Sequence, residues 1–347
     1  MNVIIRTDAS IAIGTGHVYR CMALASELSV MGANTSFICR ESPGHLCEWI
    51  ERHGFPVYRI HANGDDALAS EAILQGLDRP ADCLIVDHYT LNASWEKVQR
   101  PFVKKIVVID DLANRAHDCD LLLDQNLFPN PEERYQSLVP EKCRLLLGPQ
   151  FALLRPEFRE ARKRLARKNA GVKRIFVFFG GVDATNETAK ALSAIKLLNL
   201  KGINIDIVVG KNNPNKDKIK LLCKSMQKVA FHCQVENMAD LMANADLAIG
   251  AVGNVTWERC FMELPSITIT VAENQVRVAE AAHAAGIIVN LGWHETVNDE
   301  RLAEAIRQSI EDVSLLERMR ECSIEIMGGN ATLRIGLAAE AIIGGDR

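Results

Sequence analysis

The sequence of 347 residues lacks the features that mark membrane and secreted proteins. No uninterrupted apolar stretch approaches the roughly 18 residues that a membrane-spanning helix needs. Residues 1–20 contain no basic segment followed by an apolar one, which a secretory signal would require. We therefore expect a cytoplasmic protein without membrane insertion.

The sequence also lacks an excess of positive charge, because its formal net charge is −4 at pH 7. Proteins that bind nucleic acids usually carry a strongly basic patch. One basic run, REARKRLARKN at 159–169, has no aromatic side chains between its charges on which bases could stack. A solvated helix face explains this run better, and no nucleic-acid partner is expected.

Patterns typical of metal sites and disulfide frameworks are missing as well. The ten cysteines are scattered along the chain and none forms a C-x-x-C pair, which argues against a zinc site or a set of disulfides. No cluster of Asp and Glu residues suggests a site for a divalent metal. We expect reduced, mostly buried thiols and a protein that needs no metal or cofactor.

Short β-branched runs alternate with amphipathic segments along the chain. Continuous apolar runs such as CLIVD at 83–87 and KIVVID at 105–110 are typical of parallel strands covered on both faces. The segment GPQFALLRPEF at 148–158 interrupts this alternation, which then restarts. The pattern predicts an α/β protein with two Rossmann-like, doubly wound domains that face a cleft.

We place the domain boundary inside the interrupting segment, which gives domains at 1–155 and 156–347. The helical patterns of the second domain run as far as 301–311. A final helical pattern at 331–343 could fold back on either domain, including the N-terminal one. Because ligands collect at the carboxyl ends of parallel strands, the functional residues are expected where strands end.

The first such strand end leads into a loop with Gly14 and Gly16, followed by His17 in the first turn of a predicted helix. Backbone N–H groups of this loop could approach an anion. The dinucleotide pattern G-x-G-x-x-G fails here because Tyr19 occupies the third glycine position. The positive end of the helix macrodipole favours a neutral imidazole, which can take a proton from water. The alternative is that His17 only bonds to the loop.

Further polar residues lie near the same edge of the predicted sheet. Asp8 is a candidate substrate contact. Asp8 and Arg6 could also orient the imidazole or form a local ion pair. Two other strands end in polar clusters, namely Asp87-His88-Tyr89 and Asp110-Asp111. Turn formation or helix capping explains the Asp110-Asp111 pair equally well. Tyr89 could hold a substrate group or be structural.

Three loops of the second half have the composition of a nucleotide site. Glycines or amides follow successive strands, where backbone N–H groups could cradle a diphosphate. Thr256 could add a hydroxyl, and an ionised Glu258 could accept hydrogen bonds from ribose hydroxyls. Tight turns without a ligand are the alternative. The candidate residues of these loops are Gly180, Gly181, Gly253, Asn254, Thr256, Glu258, Asn274 and Gln275.

The chain resembles the UDP-2,4-diacetamido-2,4,6-trideoxy-β-L-altropyranose hydrolases of pseudaminic acid biosynthesis. The resemblance extends from the first loop through VDHY, DDLANRAHDCDLLLDQN, GPQFALLRPEF, FGGVDATN and the VTWE helix. Its first motif is carried by Arg6, Asp8, Ser10, Ile13, Gly14, Gly16, His17, Arg20 and Cys21. It implies a glycosyltransferase-B-like fold, related to the bacterial glucosaminyltransferase that makes lipid II, with UDP bound by the second domain and the sugar facing the first.

The resemblance also implies roles for single residues. His17 would be the general base that activates water. Tyr89 and Asn254 would lie near the sugar or the phosphates, and Arg155 and Glu258 would contact the nucleotide sugar. The implied reaction is hydrolysis of the anomeric bond to UDP with inversion, and a monomer is expected. A glycosyltransferase, a UDP-sugar 2-epimerase and a nucleotide-sugar-binding protein without turnover remain the alternatives.

Overall fold

The computed structural model describes residues 1–165, 171–329 and 336–344. These residues form two compact units. The first unit comprises residues 1–156 together with the segment 336–344, and the second comprises the described residues from 157 to 329. Parts of two sequence patterns, 166–169 of the basic run and 331–335 of the last helical pattern, lie outside the described residues.

The first unit contains a parallel sheet of seven strands in the order β3-β2-β1-β4-β5-β6-β7. The strands are β1 (Asn2–Thr7), β2 (Asn34–Arg40), β3 (Val57–Ile60), β4 (Ala81–Asp87), β5 (Val103–Ile109), β6 (Leu121–Asp124) and β7 (Arg144–Leu147). The helices that alternate with them are α1 (Gly16–Val30), α2 (Cys47–Arg52), α3 (Asp66–Gln75) and α4 (Ala93–Gln99).

The strands of the first unit are apolar because both faces of the sheet are covered. Successive residues of β1 enter different cores: Ile5 belongs to the cluster on one face and Ile4 to the cluster on the other. Strand β1 pairs with β2 on one side and with β4 on the other, so the strand order reverses between β1 and β4. Ligands of doubly wound sheets bind at this switch point.

The second unit contains a parallel sheet of six strands in the order β10-β9-β8-β11-β12-β13. Its switch point lies between β8 and β11. The strands are β8 (Arg174–Phe178), β9 (Asn204–Val209), β10 (Val229–Cys233), β11 (Leu247–Ala251), β12 (Ser266–Thr270) and β13 (Ile288–Trp293). The helices are α5 (Pro156–Lys163), α6 (Glu187–Leu198), α7 (Lys216–Lys224), α8 (Met238–Asn244), α9 (Asn254–Phe261), α10 (Val276–Ala284), α11 (Asp299–Glu311) and α12 (Val313–Ile326). The prediction of two Rossmann-like domains is confirmed.

Helix α12 was not predicted from the sequence. Asp312 caps it by accepting a hydrogen bond from the Leu315 backbone N–H at 2.9 Å. The buried side chains of α12, Leu316, Met319 and Ser323, follow one another at helical spacing. The acidic cap directly before this spacing was the available signal.

The last helix, α13 (Leu337–Ile343), packs against the first unit. Ala338, Ala339 and Ile342 are buried in the same apolar cluster as the inner face of α1. The Lys105 ammonium group, on β5, lies 3.3 Å from the Ile342 carbonyl oxygen, near the C-terminal end of α13, where a positive charge is favourable. Residues 336–344 therefore complete the core of a unit whose other residues end at 156.

Candidate active site at the strand ends

His17 and Asp87 meet at the switch point of the first unit. His17 is the second residue of α1, and Asp87 is the last residue of β4. The His17 Nδ1 atom lies 2.6 Å from Asp87 Oδ1. An ionised carboxylate only accepts hydrogen bonds, so Nδ1 carries a proton, and in the neutral imidazole Nε2 is then the nitrogen with the free lone pair. Asp87 thereby selects the tautomer in which Nε2 can act as a base.

The Asp87 carboxylate is held ionised by Arg20, on the same face of α1 as His17. Arg20 donates from Nε to Oδ2 and from Nη2 to Oδ1, each at 2.6 Å. Burial disfavours the charged carboxylate, but Arg20 and His17 outweigh burial and hold the pKa of Asp87 well below its usual range. Arg20 also donates to Asp111 Oδ2 at 2.9 Å, so α1 is tied to the ends of two strands.

The sequence left two interpretations of Asp8 and Arg6, and the structure selects the local ion pair. The fully buried Arg6 donates to both carboxylate oxygens of Asp8, at 2.6 and 2.8 Å. Asp8 also accepts from the Arg40 backbone N–H at 2.7 Å and lies 3.2 Å from His88 Nε2. Asp87, and not Asp8, orients the His17 ring. The substrate contact proposed for Asp8 therefore gives way to a structural role, since its two oxygens are already engaged.

The paired carboxylates should make the protein sensitive to acid. Although burial alone would raise the pKa of Asp8, its bonds to His88 and Arg6 lower it well below the usual range, and the pKa of Asp87 is lowered likewise. Both groups hold protons less tightly in the folded protein than in the unfolded chain. The stability that they supply is therefore present above the ordinary aspartate pKa of about 3.9 and is lost as the pH falls below it.

We expect the free energy of unfolding, measured with urea between pH 7 and pH 3, to fall below about pH 4. Asp8→Asn should lower this free energy at neutral pH by about 3 kcal/mol, because it leaves Arg6 short of one buried partner. The variant should also lose less stability on acidification than the parent. An equally steep decline in both proteins would contradict this assignment.

The other predicted residues of the first unit have different roles. One contacts the His17 ring, one stabilises a turn and one binds Arg20. The Tyr89 ring lies edge-on to the His17 ring, with the centroids 4.3 Å apart. Asp110 accepts from the Ala113 backbone N–H and pairs with Arg115, which is the turn role, whereas Asp111 belongs to the Arg20 network.

The glycine loop before α1 is closed on itself. Ser10 and Gly14 exchange two backbone hydrogen bonds, of 3.2 and 2.9 Å. Gly14 has a φ of +78°, which a glycine adopts without strain. Gly16 is the first residue of α1. Tyr19, at the third glycine position of the dinucleotide pattern, packs against Trp49, with ring centroids 4.9 Å apart. The side chain at this position therefore serves packing.

The Gly180-Gly181 turn follows β8 at the switch point of the second unit. A Cβ atom added at either glycine would meet no atom within 4 Å, so the space beside both residues is open. Gly180 has a φ of +98°. The neighbouring loop approaches closely, because a Cβ atom on Gly210 would lie 2.2 Å from the Gly181 carbonyl oxygen. Backbone groups of this turn can therefore be approached by a ligand.

The loop between β11 and α9 lies across the same switch point. Gly253 precedes the helix with a φ of +154°, and Asn254 is its first residue. The Thr256 hydroxyl, predicted to contact a diphosphate, is completely buried and accepts hydrogen bonds from Gly253 N and from Arg259 Nη2. Thr256 thus shapes the loop instead of facing a ligand. Glu258 is half-buried one turn further along α9.

Three predicted residues lie further from the switch points. Asn274 is exposed in a 3₁₀ turn before α10, and Gln275 closes the same turn by accepting a hydrogen bond from Val271 N at 3.0 Å. Arg155 is half-buried directly before α5. The basic run, where described, is less solvated than expected, because Arg162 pairs with Glu263 and lies over the Phe261 ring.

Two kinds of feature are absent from the part of the chain that the structure describes. No group of three or more His, Cys, Asp or Glu side chains is arranged to hold a metal ion there. No helix within the described ranges has the length and apolar character to cross a bilayer.

Two kinds of sequence comparison found similar proteins. Residues 174–329 match the family model of the glycosyltransferase family 28 C-terminal domain. The chain is 28% identical to the UDP-2,4-diacetamido-2,4,6-trideoxy-β-L-altropyranose hydrolase of Campylobacter jejuni, over 80% of this chain and 95% of that protein. The resemblance to these hydrolases is confirmed. An uncharacterized protein of Methanocaldococcus jannaschii is also 28% identical, over 78% of this chain, which spans only 55% of that relative.

Solved structures support the fold. MurG of Acinetobacter baumannii superimposes with a TM-score of 0.66 at 14% identity, covering 98% of this chain and 99% of the other. The calicheamicin glycosyltransferase CalG4 gives 0.63 at 13% identity and covers 99% of each chain. The chain therefore shares the fold of these two proteins.

Proposed function

We propose that the protein hydrolyses UDP-2,4-diacetamido-2,4,6-trideoxy-β-L-altropyranose to the free sugar and UDP. The observation that carries this proposal is the buried His17–Asp87 pair at a switch point, with His17 Nδ1 2.6 Å from the Asp87 carboxylate. The name of the Campylobacter jejuni relative, which aligns over nearly its full length, supports the choice of substrate.

In the proposed reaction, His17 Nε2 takes a proton from a water molecule while the water oxygen bonds to the anomeric carbon. The bond between that carbon and the UDP oxygen breaks, and its electron pair leaves with UDP. Attack from the face opposite UDP inverts the anomeric centre, as in inverting glycosidases. His17 then releases its proton to solvent. Tyr89, in contact with the His17 ring, is placed to limit where the sugar lies.

The second unit is proposed to hold UDP. Backbone N–H groups of Gly180, Gly181 and Asn254 would bind the diphosphate at the switch point and stabilise its growing charge. Gly253, whose own N–H donates to Thr256, would form the turn beside it. Glu258 would accept from the ribose hydroxyls. Asn274, Gln275 and Arg155 would make the outer contacts. The mechanism requires that the sugar of a nucleotide held there reaches His17.

A glycosyltransferase is the second candidate, because the second unit matches the glycosyltransferase family 28 domain. In that case an acceptor hydroxyl would replace water. A 2-epimerase would return an isomerised sugar, and a binding protein would return no product. A monomer without metal or nucleic acid is retained as part of the proposal.

Proton NMR of the UDP-sugar with the protein and no acceptor separates these reactions. We expect stoichiometric UDP and free sugar, with the anomeric proton first appearing in the inverted configuration and no requirement for added metal. Intact donor that is consumed only after an acceptor is added would support the glycosyltransferase. An isomerised sugar would support the epimerase.

A further inference from the structure

A buried arginine in the second unit has no ion-pair partner among the described residues. Arg259, on α9, is 1% exposed. Its Nη2 donates to the Ala251 carbonyl oxygen at 2.9 Å and to the Thr256 hydroxyl at 3.1 Å. Among the described residues, Nε and Nη1 have no hydrogen-bond partner, and no carboxylate lies within ion-pairing distance of the guanidinium.

Such an arrangement is unfavourable in the free protein. A buried cation without an ion-pair partner is unfavourable relative to the same group in water. Burial accordingly lowers the pKa of Arg259 to about 10, and Cys260 and Glu258 offset this effect only in part. Other buried arginines of the chain, Arg6 and Arg20, each bind two carboxylates. Arg259 therefore differs from them in lacking the negative charge that balances them.

The position of Arg259 indicates where the missing charge belongs. Gly250 pairs with Phe178 across β11 and β8, at the switch point. A Cβ atom on Gly250 would lie 2.7 Å from Arg259 Nη1, so the guanidinium fills the space beneath these two strand ends. From there the Thr256 hydroxyl connects Arg259 to the Gly253 backbone N–H, at 3.1 and 3.2 Å. The cation is thus two hydrogen bonds away from the N-terminus of α9.

We propose that Arg259 is a positioning residue for a phosphate-bearing ligand, whose negative charge at the Gly253–Asn254 loop balances the buried guanidinium. This inference rests on the proposed binding of UDP by the second unit. Arg259 does not touch the ligand. It acts through its charge and through Thr256, whose hydroxyl oxygen accepts from both Arg259 Nη2 and the Gly253 N–H and so holds the turn in place. Thr256 and Gly250 are part of the same arrangement. The Thr256 hydroxyl links Arg259 to the loop, and the missing side chain of Gly250 leaves room for the guanidinium.

The test compares the affinities of UDP, UMP and uridine for the parent protein and for Arg259→Met, by calorimetry with competition for the weakest ligand. Removal of the Arg259 charge should weaken the binding of UDP about 10- to 100-fold and the binding of UMP less. The binding of uridine, which has no phosphate, should be unchanged. Arg259→Lys should recover most of the UDP affinity. Because an unbalanced buried charge is removed, the thermal midpoint of the free Arg259→Met protein should stay the same or rise.

Arg174→Met is the matched control, because Arg174 lies at the opposite end of β8 and pairs with Asp206 at 2.7 Å. It should leave the ratio of UDP to uridine affinity unchanged. An equal loss for all three ligands together with a lower thermal midpoint would show a purely structural role and overturn the proposal. Unchanged UDP affinity in Arg259→Met, or no UDP binding by the parent, would overturn it too. If Arg259→Met does not fold, the same three affinities are compared between Arg259→Lys, which keeps the charge, and Arg259→Gln, which removes it. Equal UDP affinity in these two variants would overturn the proposal.

These measurements use no sugar and no turnover, so they fail independently of the proposed hydrolysis. Suppose that the loss of affinity in Arg259→Met grows from uridine to UMP to UDP, but the parent protein does not cleave the UDP-sugar. The role of Arg259 would then stand and the hydrolase would be rejected. If the parent cleaves the UDP-sugar but Arg259→Met changes the three affinities equally or not at all, the hydrolase would stand and the role of Arg259 would be rejected.

Discussion

Replacement of His17 with alanine is expected to lower kcat for release of UDP by about 10²–10⁴-fold, the usual contribution of a positioned general base. No other imidazole contacts Asp87 among the described residues, so no neighbouring group can take over the proton. The affinity for UDP should be unchanged, because the loops proposed to bind the nucleotide belong to the second unit. Stopped assays of UDP release and calorimetry with UDP measure the two quantities separately.

His61→Ala is the control for this experiment, since the His61 side chain is 94% exposed and should not affect turnover. If His17→Ala binds UDP and still turns over at the parental rate, His17 is not the base. A loss of both turnover and folding, seen by circular dichroism, would instead call for His17→Asn, whose amide nitrogen takes the position of Nδ1 and keeps a hydrogen-bond donor to Asp87.

Asp87→Asn is expected to lower kcat by about 10²–10⁴-fold, in line with the loss seen when a histidine-orienting aspartate is made neutral. An asparagine offers one acceptor oxygen where Asp87 offers two, so it cannot accept from His17 and from both nitrogens of Arg20. An amide N–H turned toward Nδ1 would move the ring proton to Nε2, and the imidazole could no longer accept a proton there. Single-turnover measurements should show the loss in the chemical step, with unchanged UDP affinity.

Asp111→Asn provides the comparison for Asp87→Asn. It removes the second ion pair of Arg20, at 2.9 Å, but does not touch the His17 ring. It should therefore change kcat far less than Asp87→Asn does. Equal losses in both variants would mean that the rigidity of Arg20, and not the tautomer of His17, governs the reaction.

Much of the fold could be predicted because its strands are buried on both faces. Continuous apolar runs such as 83–87 can only be parallel strands under helices, and their alternation with amphipathic segments gives two doubly wound sheets. Helix α12 was missed because its apolar face is narrow. Charged side chains interrupt it, and even the partly apolar stripe includes Arg320 and Ser323. The cap at Asp312 is a weaker signal than a wide apolar stripe.

The site could be predicted only as far as strand ends determine it. Parallel pairing aligns Thr7 with Asp87, which places the residues that follow both strands at one edge. Which of these groups bind each other depends on the directions of side chains that lie three residues apart on the same helix. Arg20 beside His17, and Arg259 beside Thr256, were missed for that reason. The spacing of three in each pair was the available signal.

The first unit is discontinuous in the chain, with α13 supplying Ala338, Ala339 and Ile342 to its core. During synthesis the ribosome makes residues 1–156 first, but this unit cannot finish its core until the last of these three side chains has emerged. The second unit is encoded entirely in between and can fold earlier. The nascent first unit therefore exposes an apolar surface beside α1 for most of translation, when chaperones would be expected to bind it.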